Sequence, residues 1–230
     1  MESKKSLIIK GHKHIAFETE VFSEEELLKK SDRFYHLLNS RRSIREFSDK
    51  NVPKEVIENL IKTAATAPSG AHKQPWVFCA ISSAELKTQI REAAEAEEKK
   101  SYESRMSDRW KKDLEPMATD MYKPFLEIAP WLIIVFKKAY ELGENGEKNN
   151  NYYVNESVGI AAGMLISAIH NAGLVTLTHT PSPMNFLAKI LNRPANERAF
   201  LLLPVGYPEL PTYVPDLKRK ELDEIAVFYE

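Results

Sequence analysis

The sequence has a single cysteine, Cys79, which excludes an intramolecular disulfide and fits the reducing cytoplasm. It lies in the apolar run Trp76-Val77-Phe78-Cys79-Ala80-Ile81, where a buried, inert thiol is expected rather than a nucleophile. Charge excess is lacking too. The 32 Lys and Arg against 33 Asp and Glu leave a formal net charge of -1, which gives neither the basic footprint of a nucleic-acid binder nor an acidic tail. Lys4 and Lys5 precede only Leu7-Ile8-Ile9 before Lys10 intervenes, too short a run for a signal peptide. Residues 158–175 carry no formal charge, but they include Ser167, His170 and Asn171 and lead into a strand-like run, so a buried core helix is expected and not a membrane span. His12 and His14 have no further ligands at metal-binding spacing. Gly143 and Gly146 make a turn and lack the third glycine of a dinucleotide fingerprint, so no nicotinamide site is visible.

What is present suffices for one sizeable core: 230 residues, 43% of them hydrophobic. Residues 1–22 read as an extended amino-terminal arm and 23–230 as a single domain. Ser23 with Glu26 three residues later forms a capping box, opening a helix whose Phe34, Leu37 and Leu38 share a face and which ends near Ser40. Pro53 fits a first helical position before Val56, Ile57, Leu60, Ile61 and Ala64. Strands are expected at Trp76–Ser82, Trp131–Phe136, Leu174–Thr180 and Ala199–Val205, with a polar loop at Glu141–Asn151, a short helix near Phe186–Leu191 and an extended carboxy-terminal tail. Helices among short buried strands predict an α+β sandwich with a mixed central sheet. Gly159, Ala161, Ala162, Gly163 and Ala168 allow close helix approach and point to a homodimer.

Two features carry chemistry. The stretch 41–76 opens with Arg41-Arg42-Ser43-Ile44-Arg45, fork-shaped donors suited to a phosphate or carboxylate, and closes with Ala67-Pro68-Ser69-Gly70-Ala71-His72-Lys73-Gln74-Pro75-Trp76, where Gly70 admits close approach of a flat ligand. Read separately, the first is an ordinary basic surface and the second an ordinary turn. The other feature is residues 85–115, with 17 charged residues in 31 and helical spacing throughout. Glu98, Tyr102, Met106, Trp110 and Leu114, four apart, form one stripe on this polar segment, which is expected to act as a lid over residues 85–125.

Taken together, these stretches resemble the nitroreductase-like flavoproteins. The form Ala-Pro-Ser-Gly-Ala-His with Pro75-Trp76, Asn171-Ala172-Gly173-Leu174-Val175-Thr176 before Thr178-His179-Thr180, Leu203-Pro204-Val205-Gly206-Tyr207-Pro208 and Val214-Pro215-Asp216-Leu217-Lys218-Arg219-Lys220 narrows the resemblance to the iodotyrosine deiodinase family, in a soluble, bacterial-type form. The resemblance implies a three-layer sandwich, a domain-swapped tail in a homodimer, and FMN. Arg41, Arg42, Ser43, Arg45 and Arg219 would bind its phosphate and ribityl chain. Pro68, Ser69, Gly70, Thr178, His179 and Thr180 would adjoin the flavin, with the Thr180 hydroxyl at N5 permitting one-electron steps and His179 giving packing or backbone support. The Ala71 N–H would meet the substrate phenolate. Glu98 would take the ammonium of a halotyrosine, and Tyr102 and Lys123 its carboxylate; outside this resemblance a Glu and a Lys in so charged a region read as surface residues. The implied reaction is reductive removal of halide from mono- and diiodotyrosine, and from bromo- and chlorotyrosine, with NADPH as ultimate reductant and a partner reductase as one route for its electrons. The alternatives are a general FMN-dependent nitroreductase, which would not need Glu98, Tyr102 and Lys123 as a set, and a flavin- or halotyrosine-binding protein without turnover.

Overall fold

The run Trp131–Lys138 forms strand β4, whose first six residues are all buried. An antiparallel strand with one wet face would alternate apolar and polar, and this one does not because helices cover both its faces. In the computed structural model, which describes residues 5–230, Ile133 and Val135 pack into one core and Leu132, Ile134 and Phe136 into another. The first four residues, Lys4 among them, lie outside the described residues.

Among the described residues the main sheet has four strands in the order β3 (Trp76–Ile81), β4, β8 (Glu197–Gly206), β7 (Val175–Thr176), every neighbouring pair antiparallel. The parallel component of the mixed sheet is one bridge, Ser43 to Thr176. On one face lie α2 (Lys54–Ala65) and α6 (Val154–Asn171), which contribute Ile57, Leu60, Val158, Leu165 and Ile169 to the core. On the other lie α3 (Ala84–Lys100), α5 (Phe125–Ile128) and α7 (Asn185–Ile190), with Ile90, Ala94, Leu126 and Leu187. These three layers are the expected α+β sandwich.

Contacts divide the chain into Met1–Ser40 and Arg41–Glu230. The first unit holds an antiparallel hairpin, β1 (Ser6–Ile9) and β2 (His12–Ile15), and α1 (Glu24–Ser40). The arm is thus not simply extended: Lys10 and Gly11, both at positive φ, supply the two-residue turn that lets its short apolar runs pair. The capping box at the start of α1 forms as read, with the Ser23 N–H donating to Glu26 Oε2 at 2.9 Å and the Glu26 N–H to Ser23 Oγ at 3.3 Å.

Three further expectations change. Pro53 is the residue before α2 and not its first helical position. The loop over 141–151 is a hairpin of β5 (Tyr140–Leu142) and β6 (Lys148–Asn150), because Gly143 and Gly146 close a turn tight enough for the flanking polar residues to pair. The strand expected over 174–180 shrinks to β7, after which the chain keeps only the His179–Leu202 bridge to β8.

Candidate active site

The arginine cluster is held as an added edge beside β7. Ile44 N–H donates to Thr176 O at 3.2 Å, and Ser48 N–H to Tyr207 O at 3.0 Å, so the segment between them is strapped across the end of the sheet where β7 pairs with the close of β8. This presents Arg41, Arg42, Ser43 and Arg45 to a cavity of about 270 Å³ that is closed by Val214, Pro215, Leu217, Lys218 and Arg219. Arg219 Nη2 donates to the Arg41 carbonyl at 3.1 Å, which fixes the tail over the cluster. Burial, and then the charges of Arg219 and Arg42, hold the Arg41 guanidinium below its ordinary pKa. Like charges brought together at cost call for an anion, and the convergence of fork-shaped donors fits the phosphate of FMN. A second cavity, also about 270 Å³, continues from Arg41 and Ser43 along Thr176, Leu177 and Thr178 to Gly163 and Ile166 of α6.

A third cavity, about 260 Å³, is roofed by the charged segment. The stripe read from the sequence is intact here: Glu98, Tyr102, Met106, Trp110 and Leu114 all line it, facing Lys123, Phe125 and Leu177 to Thr180. The segment itself is not one helix. After α3 comes a π-helical turn over Ser101–Arg105, Met106 is extended, and α4 (Asp108–Leu114) restarts from a Ser107 cap whose Oγ accepts the Trp110 N–H at 3.2 Å. Arg105 Nη1 ties the turn to the Ser182 carbonyl at 3.0 Å. This break is what bends the stripe around one cavity, where a straight helix would let it drift off.

Within that cavity, burial raises the Glu98 pKa against the opposing pull of Lys123, and burial lowers that of Lys123 against the pull of Glu98. Lys123 is 4% exposed and donates through Nζ to Thr119 Oγ1 at 3.1 Å and to the Asp120 carbonyl. Tyr102 OH donates to the Thr119 carbonyl at 3.1 Å. One turn, residues 119–120, therefore engages both groups expected to meet a carboxylate. His179 Nδ1 lies 4.0 Å from Glu98 Oε1, and its buried Nε2 has no hydrogen-bond partner among the described residues. Burial, with the charges of Lys123 and Arg45, pushes its pKa down to about 3, so the ring is neutral. Its ring meets that of Phe125 edge to face, centroids 5.7 Å apart, consistent with a packing role.

Arg45 lines both the arginine cavity and the lid cavity and so joins the two. The loop Pro68 to Ala71 lines none of the three cavities. Gly70 instead docks at the start of α6, its N–H donating to Ser157 Oγ at 3.3 Å, while the second cavity meets α6 at Gly163 and Ile166, about 9–14 Å further along the helix. A Cβ on Gly70 would stand 2.8 Å from the Tyr153 ring and 3.0 Å from the Tyr152 carbonyl, which is why this position has no side chain. Ala71 takes φ 48°, exposed. Ser101, Thr119 and Phe125 also line the lid cavity and were not singled out from the sequence; Thr119, four residues before Lys123, was the one with a readable spacing. Among the described residues no group of three His, Cys, Asp or Glu could hold a metal ion, and no helix is long and apolar enough to cross a membrane.

Comparison with known proteins matches residues 38–207 to the nitroreductase family. The chain is 59% identical over 208 residues to an iodotyrosine deiodinase of Haliscomenobacter hydrossis, covering 90% of this chain and 94% of that one. It is 48% identical over 215 residues to iodotyrosine deiodinase 1 of Homo sapiens, covering 93% of this chain and 74% of that one. Among solved structures, an oxidized iodotyrosine deiodinase bound to FMN and 3-iodo-L-tyrosine superposes with a TM-score of 0.75 at 34% identity over 86% of this chain and 98% of its own. A nitroreductase-like protein from Streptococcus mutans, at 18% identity and TM-score 0.65, shares the fold. The chain therefore belongs to the nitroreductase family and, within it, to the iodotyrosine deiodinases.

Proposed function

We infer that this protein is an FMN-dependent oxidoreductase that removes iodide from mono- and diiodotyrosine to leave tyrosine, and that bromo- and chlorotyrosine are further substrates. The observation that carries this reading is the joining of the arginine cavity to the lid cavity through Arg45, with Glu98, Tyr102 and Lys123 all lining the latter. The names of the relatives at 48–59% identity, and the FMN and iodotyrosine held by the superposed structure, support it.

When bound, FMN supplies the two electrons with which a proton replaces iodide on the ring carbon. The protein's residues bind, orient and keep dry. Arg41, Arg42, Arg45 and Arg219 offer charge-assisted donors to the phosphate, and the Ser43 hydroxyl a further hydrogen bond. Glu98 takes the substrate ammonium; Lys123 and the Tyr102 hydroxyl turn from residues 119–120 to its carboxylate. Met106, Trp110 and Leu114 then cover the ring and exclude water. The Thr180 hydroxyl, which lines the same cavity with Thr178 and His179, would hold a proton near the cofactor.

The separation of the Pro68–Ala71 loop from the cavities supports a homodimer in which the loop of one copy meets the cavity of the other, bringing Pro68, Ser69, Gly70 and the Ala71 N–H to the flavin and substrate. Two further observations support it. Gly159 lies beside the exposed Ile160 of α6, with nothing among the described residues within 4 Å of an added Cβ, and the same holds of Gly163 at the mouth of the second cavity. The tail after Tyr207 leaves Leu222, Ile225, Val227 and Phe228 exposed, as a segment exchanged between copies would. The cytoplasm suits the lone Cys79, and a partner reductase drawing on NADPH would be the donor.

The test is anaerobic. Flavin bound to the protein is reduced, diiodotyrosine is added, and reoxidation is followed together with iodide and tyrosine. Stoichiometric iodide is expected. Binding without iodide would make this a halotyrosine-binding protein, and neither binding nor reoxidation would return it to the general nitroreductases.

A further inference from the structure

Glu98 and Tyr102 leave the lid one turn apart, but Lys123 reaches the same cavity from a separate segment just before α5. The Lys123 backbone itself is fastened to α3 by Glu95. Its Oε1 accepts the Lys123 backbone N–H at 2.7 Å, and its Oε2 accepts from Arg91 Nη1 at 2.6 Å. Arg91 donates in turn through Nε to Glu127 Oε1 at 2.8 Å, on α5 itself. The side chains of Arg91 and Glu95 are 24% and 18% exposed, so this is a shielded, two-ended clamp rather than a solvated surface pair. Glu95 precedes Glu98 by three residues and so lies over the same face of α3.

We propose that Glu95 is a positioning residue for zwitterion recognition: by fastening the Lys123 backbone to α3 it sets the span between the Glu98 carboxylate and the Lys123 ammonium, and thereby favours halophenols that carry an amino-acid arm over those that do not. The proposal rests on the reading of Glu98 and Lys123 as the pair that meets the substrate's ammonium and carboxylate. Lys87 Nζ also ties α3 to α5 through the Glu127 and Ala129 carbonyls at 2.7 and 2.9 Å, but Glu95 makes the contact to the Lys123 backbone itself, where a displacement of about 1 Å can cost as much as a hundredfold in a positioned site.

The experiment compares dissociation constants of the FMN-loaded protein for diiodotyrosine and for 2-iodophenol, which lacks the arm. Glu95→Ala is expected to weaken diiodotyrosine binding roughly tenfold while 2-iodophenol changes by less than about twofold. Glu95→Gln keeps an acceptor for the Lys123 N–H and should stay within about threefold of the unaltered protein for both ligands. Unchanged binding in Glu95→Ala, or equal loss of both ligands, would overturn the proposal. Glu98→Gln serves as the control: if it leaves diiodotyrosine binding intact the zwitterion reading itself fails, whereas if it weakens binding and Glu95→Ala does not, only the role of Glu95 fails. Amide hydrogen exchange in the unaltered protein gives an answer independent of how the variants fold. The Lys123 amide should exchange at least about tenfold more slowly than in an unstructured chain, and exchange at the unstructured rate would refute the clamp.

Discussion

His179 and Glu98 illustrate how burial sets the charge state of single side chains in this site. The His179 ring titrates near 3 in the folded chain against an ordinary 6.5, so the unfolded state binds a proton that the folded state refuses. Its contribution to stability is present above pH 6.5 and is lost as pH falls from there toward about 3. The melting temperature should drop over that window, and His179→Asn should flatten the drop; an unchanged slope in thermal melts would show that the ring is not held neutral. Glu98 behaves in the opposite sense, since burial favours its protonated form. Halotyrosine binding should therefore weaken at a pH above that of an ordinary glutamate, and Glu98→Gln should weaken diiodotyrosine binding about tenfold or more while nitroarene reduction is largely kept. Equal loss of both activities would remove Glu98 from substrate recognition. Thr180→Ala should slow halide release and spare FMN affinity, as measured by turnover and flavin titration.

Among the elements, α3 and α4 differ most from what periodicity alone suggests. Helix α3 buries Ile90 and Ala94 in the core, while the half-exposed stripe from Glu98 to Leu114 lines the cavity, around which the Met106–Ser107 break lets it wrap. Beyond Lys100 the segment buries only Ser101, and if it closes over a ligand as proposed, limited proteolysis between Glu85 and Glu115 should slow when diiodotyrosine is bound; equal cleavage with and without it would refute the lid. The docking of Gly70 on α6 is tight in a different way. Gly70→Ala must displace the Tyr153 ring and the Tyr152 backbone, and a loss of about 1–3 kcal/mol in urea unfolding is the expected result.

The proposed assembly can be tested on what one chain leaves uncovered. The exposed Ile160 on α6 and the exposed Leu222, Ile225, Val227 and Phe228 of the tail are the apolar surface that the proposed homodimer would cover. Sedimentation should find twice the mass of one chain. Gly159→Leu, at a position that lines none of the three cavities and whose added Cβ has nothing within 4 Å among the described residues, should leave the chain folded and shift the equilibrium away from the dimer, with loss of FMN retention if the loop of one copy completes the cavity of the other. A Gly159→Leu protein that stays dimeric would place the interface elsewhere.

Local order determined a large share of this protein before any tertiary contact. The unbroken run at Trp131 already specified a strand covered on both faces, Ser23 with Glu26 specified the start of α1, and residues four apart from Glu98 to Leu114 specified the face that lines the cavity. These are short-range consequences of side-chain period and capping chemistry, which sequence carries directly. Spacing along the chain says which face is apolar but not what that face meets. Only the fold decided that Glu95 grips the backbone of Lys123, that Arg45 stands between two cavities, and that the Pro68–Ala71 loop docks on α6 away from both. The hairpin at Tyr140–Asn150 and the break at Met106 were likewise invisible, because polar residues carry little periodic signal and are placed by hydrogen bonds to neighbours. The neutral state of His179 belongs to the same class: a charge is set by what surrounds it, and the surroundings come from segments distant in sequence.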